Sequence, residues 1–228
     1  HLAANSQETD RMAVDTIVDE RTLNELYLKA FALAVQKGNS YCLMGAYNKL
    51  NGEHCCTSKK LLNEIVREQW QYDGTIISDW GGVHDTVEAA ESALDIEMDI
   101  HYDFDHHYMA QPLKDKIENG ELSEELVDKK VSNILRLMKR LNMLGEDREK
   151  RKSGVFSNRE HHQAALEIAR ESIVLLKNEQ NRLPLRKEGL RRIAVIGENG
   201  VRIHSNKGGS SELKALYEVS PLLGLKKI

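Results

Sequence analysis

The run Gly74-Thr75-Ile76-Ile77-Ser78-Asp79-Trp80-Gly81-Gly82-Val83-His84-Asp85 leaves this chain the fewest choices. Asp73-Gly74 marks a turn, and the apolar, β-branched stretch after it makes a short buried strand over Thr75–Ser78. The strand gives way to Ser-Asp-Trp and a glycine pair, and helical spacing resumes from about His84. An acid where such a strand ends is held by rigid backbone on one side. On the other it faces the mouth of a β/α structure, the rim where β/α barrels place catalytic groups. Trp80 adds a flat apolar face of the kind that stacks on a sugar ring, and Gly81 and Gly82 let backbone and ligand approach closely. Asp79 is equally suited to cap the helix that follows.

The flanking segments repeat this alternation. His1 to Arg11 is polar and loop-like. Asp19 stands before a helix in which Leu23, Leu26, Tyr27, Ala30, Phe31 and Ala34 recur at helical spacing, and Gly38 sits where a C′ residue belongs. Tyr41–Tyr47 reads as a strand and Asn48–Gly52 as a turn-rich loop at its C-terminal end, which puts Tyr47 on the same rim as Asp79. A helix from about Ser58 to Trp70 turns Leu61, Leu62, Ile65, Val66 and Trp70 inward. Another helix follows from Asp85 to about Ala93, and Leu94–Met98 alternates as a further strand. Two helices fill most of Tyr108–Met143, the second patterned through Leu126, Val131, Ile134, Leu135 and Leu141. The expected class is therefore α/β with a parallel sheet. Gly145–Gly154 is a charged, glycine-bracketed linker by composition. Beyond it come a helix from Asn158 to about Lys177, a turn over Asn178–Pro184 and a buried strand over Arg192–Gly197.

Charge and cysteine usage narrow the function classes. With 32 Lys and Arg against 36 Asp and Glu, the net charge of −4 implies neither a nucleic-acid nor a membrane partner. The basic cluster Arg148–Lys152 is interrupted by an acid and reads as solvated linker. No apolar run approaches the roughly 18 residues of a membrane helix, and no signal peptide opens the chain. Cys42, Cys55 and Cys56 make no disulfide framework and favour a reduced, cytoplasmic setting. His101, His106 and His107 stand among Asp103 and Asp105, which are metal-ligand types, but the adjacent histidine pair favours a polar rim loop. A nucleophilic role for Cys55 or Cys56 would need an activating histidine. Gly197-Glu198-Asn199-Gly200 lacks both the GxGxxG and the P-loop pattern. No cofactor or metal is implied.

Several pieces in combination resemble glycoside hydrolase family 3, the family of many β-glucosidases and β-xylosidases. They are Ala46-Tyr47-Asn48-Lys49-Leu50-Asn51-Gly52, Leu61-Leu62 ahead of Arg67-Glu68-Gln69-Trp70 and Asp73-Gly74, and Ser78-Asp79-Trp80-Gly81 with His84-Asp85. Leu94-Asp95-Ile96-Glu97-Met98 follows in order. Ala169-Arg170-Glu171-Ser172-Ile173-Val174-Leu175-Leu176-Lys177-Asn178 and Leu183-Pro184-Leu185 are similar to the entry into that family's second domain. Gly208-Gly209-Ser210-Ser211 and Val219-Ser220-Pro221-Leu222 are similar to later stretches of it.

The resemblance implies the C-terminal part of a (β/α)8 TIM-like barrel over residues 1–145, a linker over 146–157, and the beginning of an α/β sandwich domain over 158–228. It implies a retaining β-glycosidase, β-glucosidase-like, with Asp79 as nucleophile and a β-linked glucoside or oligosaccharide as substrate. Tyr47, Trp80 and His1 would line the inner sugar site, His1 as the histidine of a Lys-His pair that precedes the Asn5-Ser6-Gln7-Glu8-Thr9 run. A complete barrel takes roughly 250 residues, so an interior piece of a longer enzyme is expected. The family's acid/base, a Glu of the second domain, is expected outside this chain. Asp85, Glu97 and Glu212 are available carboxylates that match no acid/base motif. The alternative is an incomplete, non-catalytic fragment with at most weak sugar binding.

Overall fold

The computed structural model describes residues 1–145, 153–203, 206, 210 and 212–227. Residues 146–152 of the expected linker, and all but Ser210 of the glycine-serine loop, lie outside them. Two compact units form, His1–Lys152 and Ser153–Ile228.

The first unit runs β1 (Asp15–Thr16), α1 (Glu20–Thr22), a π-helical turn over Leu23–Tyr27, α2 (Lys29–Gln36), β2 (Cys42–Met44), β3 (Lys49–Leu50) and β4 (Glu53–His54). It continues through a π-helix over Lys60–Gln69, β5 (Thr75–Trp80), α3 (Thr86–Glu91), β6 (Ile96–Met98), α4 (Gln111–Glu118) and α5 (Glu125–Arg140). Strands β2, β5 and β6 lie side by side in that order, all parallel, with Leu43 opposite Ile76 and Ile77 opposite Ile96. Parallel neighbours joined through helices are β/α units, and the fold is the α/β class expected. Leu28, Leu61, Leu62, Val66, Ile76 and Leu94 are fully buried where these helices meet the sheet. The four apolar residues of the π-helix fall on its buried side as expected.

A second sheet, β1-β3-β4, was not legible in the sequence. Asn51 and Gly52 both take positive φ, 51° and 95°, the geometry of a two-residue hairpin turn between β3 and β4. The Asn51 side chain then clasps Val18, accepting its N–H and donating to its carbonyl, both at 2.9 Å.

Two of the expected helix faces change. Leu28 N–H reaches back five residues to Leu23 O at 2.9 Å, and the extra residue in that turn rotates all that follows. Leu28 is therefore buried, whereas Leu26, Ala30 and Ala34 are exposed. On α5 the inward residue is Lys130, and Val131 and Leu135 are exposed one step round the helix. Burial puts the Lys130 ammonium down to about 8. It is held by the carbonyls of Ala89, Ser92 and Leu94 at 3.0, 2.8 and 2.6 Å, where α3 has ended and its last carbonyls need donors.

In the second unit the expected helix is shorter, α6 (Arg159–Glu171), capped by Asn158 through His161 N–H at 2.7 Å. The expected buried strand 192–197 is not one. Among the described residues it has no ladder partner, and Ile196 is 92% exposed. A strand is made by its neighbour. A short α7 (Pro221–Lys226) follows, capped by Ser220.

Candidate active site

Strand β5 carries an irregularity where it matters. Ile77 pairs with Ile96 and Trp80 with Met98, so three steps on β5 match two on β6. The extra residue is a β-bulge at Ser78–Asp79, a device that bends a strand and re-aims a side chain. Ser78 keeps the ladder satisfied: its Oγ takes the Met98 N–H at 2.8 Å, and Gly81 N–H reaches Met98 O at 2.9 Å. This role for Ser78 escaped the sequence reading, although a serine immediately before a rim acid is its only visible sign. Asp79 stays in the strand and caps nothing. The cap of α3 is Asp85, whose Oδ1 accepts Glu88 N–H at 2.8 Å.

Asp79 is buried. Its Oδ1 accepts the Trp80 N–H at 2.9 Å. Its Oδ2 takes no aligned hydrogen bond among the described residues, and His1 Nε2 stands 2.9 Å from it. Among the described residues no backbone N–H holds this buried oxygen; what stands beside it is the His1 ring nitrogen, a side chain that can share or release it. Tyr47 lies against the same carboxylate. Burial first, then its interaction with Asp79, pushes the phenol up to about 12, so the hydroxyl keeps its proton at any working pH. The Arg11 guanidinium lies over the Tyr47 ring, 4.5 Å from its centre, and is itself paired with Glu8 at 2.9 Å.

His1 reaches this place because the opening segment is not a polar loop. Leu2 and Ala3 are fully buried. Leu2 N–H donates to Met44 O at 2.9 Å, and Ala46 N–H returns to Leu2 O at 2.8 Å, which fastens the segment beside β2. Asn48, also buried, donates to Ala3 O at 3.2 Å. Trp80 is on the open side, half exposed, on the wall of a cavity of about 530 Å³ with Met12, His84 and the 99–108 loop. Thus Asp79, His1 and Tyr47 come together, and Trp80 stands next to them at the mouth.

The cysteines do not enter the chemistry. Burial raises the Cys55 and Cys56 thiols to about 11 and about 12. The Cys56 sulfur packs so tightly between Gly45 and Gly82 that a Cβ on either glycine would fall 2.8 Å from it. Small residues at both positions are required for that reason. Of the spare carboxylates, Asp85 is a cap, and Glu97 accepts Tyr108 and Met109 N–H at 3.2 and 2.6 Å. Glu212 is exposed in the second unit. Among the described residues no group of three or more His, Cys, Asp or Glu side chains is arranged to hold a metal.

Beside the site, the rings of His54 and His84 stack with centroids 4.0 Å apart. Burial lowers both imidazoles, and the Lys49 charge lowers both further; His84 does the same to His54, and Glu88 partly offsets these effects. Each group's folded pKa then lies below its unfolded value of roughly 6.5. As pH falls through that value the unfolded chain takes up protons first, so stability falls with pH until the folded pKa is passed. Denaturant unfolding at pH 7.5 and 5.5 should show this loss, and His54→Phe should reduce it. An equal loss in both proteins would remove the pair as its source.

The chain matches the Glycosyl hydrolase family 3 N terminal domain over residues 1–137 and the Glycosyl hydrolase family 3 C-terminal domain over 173–228. It is 38% identical to a beta-glucosidase of Bacteroides ovatus over 99% of its own length and 32% of the relative's. To thermostable beta-glucosidase B of Acetivibrio thermocellus it is 40% identical, over 93% of this chain and 27% of that one. The crystal structure of a beta-glucosidase from Kluyveromyces marxianus in complex with glucose superposes with a TM-score of 0.84 at 38% identity, covering all of this chain and 27% of that one. The chain thus spans about a third or less of the length of these relatives. With its first domain matched across the bulged strand, the acid and the surrounding β/α units, this chain belongs to glycosyl hydrolase family 3.

Proposed function

We propose that this chain carries the nucleophile half of a retaining β-glycosidase of the β-glucosidase type, with residues 1–145 as the barrel part, 146–157 as linker and 158–228 as the start of the sandwich domain. The observation that carries this reading is the state of Asp79: one oxygen is tied to its own strand by the Trp80 N–H, and the other is buried, held by no backbone N–H among the described residues and faced by His1 Nε2 at 2.9 Å. Such an oxygen has a lone pair to spend. In the proposed first step Oδ2 attacks the anomeric carbon, the bond from that carbon to the leaving oxygen breaks, and the leaving oxygen takes a proton from the acid/base. In the second, a water oxygen attacks the same carbon, the bond to Oδ2 breaks, and the water's proton returns to the acid/base. Two displacements give retention.

The acid/base is the second-domain Glu that the family resemblance implies, beyond Ile228. The commitment of Asp85 and Glu97 to backbone N–H groups supports this placement. Tyr47, fixed as a donor, and His1 would hold the charge and orientation of Asp79 and meet sugar hydroxyls. Trp80 would bound the ring.

The reading is tested by trapping. A 2-deoxy-2-fluoro-β-glucoside with a good leaving group slows both steps, the second more, so the glycosyl-enzyme of the full-length protein accumulates. After proteolysis the mass of the sugar should appear on the peptide containing Asp79. A sugar on another carboxylate, or none despite turnover, overturns the assignment.

A further inference from the structure

Cys56 lies in the turn over residues 55–57, between β4 and the π-helix, and is fully buried. Its sulfur touches both strand ends that frame the Asp79 centre. On the β2 side the S–H donates at 3.2 Å to Ala46 O, the carbonyl of the peptide that leads into Tyr47. Burial raises the thiol to about 12, so it keeps the proton it donates. Gly45, just past β2, is so close that a Cβ there would fall 2.8 Å from the sulfur and 3.0 Å from the Cys56 Cα. On the β5 side stands Gly82, in the turn that follows Asp79. A Cβ there would fall 2.8 Å from the sulfur and 3.2 Å from Asp79 O, which already accepts the Gly82 N–H at 3.1 Å. The adjacent Cys55 reaches Ala3 O at 3.5 Å, two residues from His1.

We propose that Cys56 is a positioning residue for the reaction at Asp79, its sulfur being the spacer that fixes the strand end carrying Tyr47 against the strand end carrying Asp79. The inference rests on the function proposed above. Protein interiors are packed as densely as organic crystals, so a spacer that grows or shrinks by one atom moves what it separates. Being fully buried, the thiol does not meet the sugar. What it governs is where Oδ2 stands relative to the anomeric carbon when attack begins. A misplacement of about 1 Å at such a step can cost about 100-fold. The effect falls on the steps in which Oδ2 makes or breaks its bond, and so on kcat more than on KM.

The test follows 2,4-dinitrophenyl β-glucoside on the full-length protein, well below the melting midpoint of each variant. Gly82→Ala adds the methyl that the sulfur excludes and should lower kcat about 100-fold, with KM within about threefold of wild type. Cys56→Ala alone should lower kcat about tenfold. In the double variant the methyl enters the space the sulfur leaves. Its kcat should therefore stand about tenfold below wild type, not the roughly 1,000-fold that independent effects would give. Gly45→Ala should gain much less from Cys56→Ala, because there the Cys56 Cα blocks the methyl as well. Cys56→Ser, which keeps a donor for Ala46 O, should hold kcat within about threefold of wild type. Should Cys56→Ala fail to melt cooperatively, Cys56→Ser with its shorter side chain should still recover about threefold of the Gly82→Ala loss. Lowered melting midpoints with wild-type kcat in the folded variants, or losses that simply multiply, overturn the positioning role. A wild type that turns over no aryl β-glucoside overturns instead the function on which it rests.

Discussion

Asp79→Asn is expected to lower kcat for an aryl β-glucoside by on the order of 10⁴-fold or more, as loss of a covalent nucleophile does. The amide has the volume of the acid and keeps an oxygen for the Trp80 N–H that Oδ1 now accepts, so the fold has little reason to respond. What changes is the other position, where a poor nucleophile replaces the Oδ2 oxygen beside His1. Cooperative melting at an unchanged midpoint alongside the lost activity is the expected pair of results. Asp79→Gly sharpens the test. Azide admitted to the vacated space would attack the anomeric carbon from the face Asp79 occupied and give the α-glucosyl azide. A β-product would mean that Asp79 serves as acid/base instead, and near-normal turnover by Asp79→Asn would end the assignment.

How much of this site could be seen beforehand depends on how local its causes are. The strand leading to Asp79 was legible because Thr75, Ile76 and Ile77 are β-branched and bounded by a turn, and its parallel pairing followed from the helices on either side. Asp79 at a rim was legible for the same reason. The bulge was not, since nothing in Ser-Asp-Trp says that β6 advances two residues while β5 advances three. Nor could spacing show that Leu2 is bridged to the end of β2, because its register is set across more than forty residues of intervening chain. Asp15–Thr16 is a strand only through Lys49–Leu50, two residues against two. Over Leu23–Tyr27 the helical period was read correctly but applied to the wrong helix, since one i→i−5 bond shifts the buried face. Lys130 shows the converse. A lysine in an amphipathic helix reads as solvent-facing, and only the three carbonyls waiting at the end of α3 make its burial favourable.

The largest stability effect should come from the opposite end of the same strand, three residues before Asp79. Asp95 is buried, and every oxygen it has is used. Oδ2 receives Arg67 Nη2 at 2.6 Å and Ile76 N–H at 2.8 Å, and Oδ1 receives Asn133 Nδ2 at 2.8 Å. Arg67 in turn donates to the carbonyls of Tyr72 and Gly74 at 3.0 and 2.5 Å. One carboxylate therefore joins the π-helix, the start of β5, the approach to β6, and α5. Asp95→Ala leaves a largely buried guanidinium without its counter-charge and Ile76 N–H without an acceptor. Breaking one side of such a pair typically costs about 3–5 kcal/mol, far more than the pair is worth against an apolar replacement. Urea unfolding should therefore show a loss of that size for Asp95→Ala, and a clearly smaller one for Asp95→Asn, which retains an acceptor for Ile76. Arg67→Met combined with Asp95→Leu should lose less than the two single changes summed, because neither charge is then stranded. Losses that simply add, or an Asp95→Ala loss below about 1 kcal/mol, would mean that the pair is screened like a surface bridge and that β5 is anchored by its apolar neighbours alone.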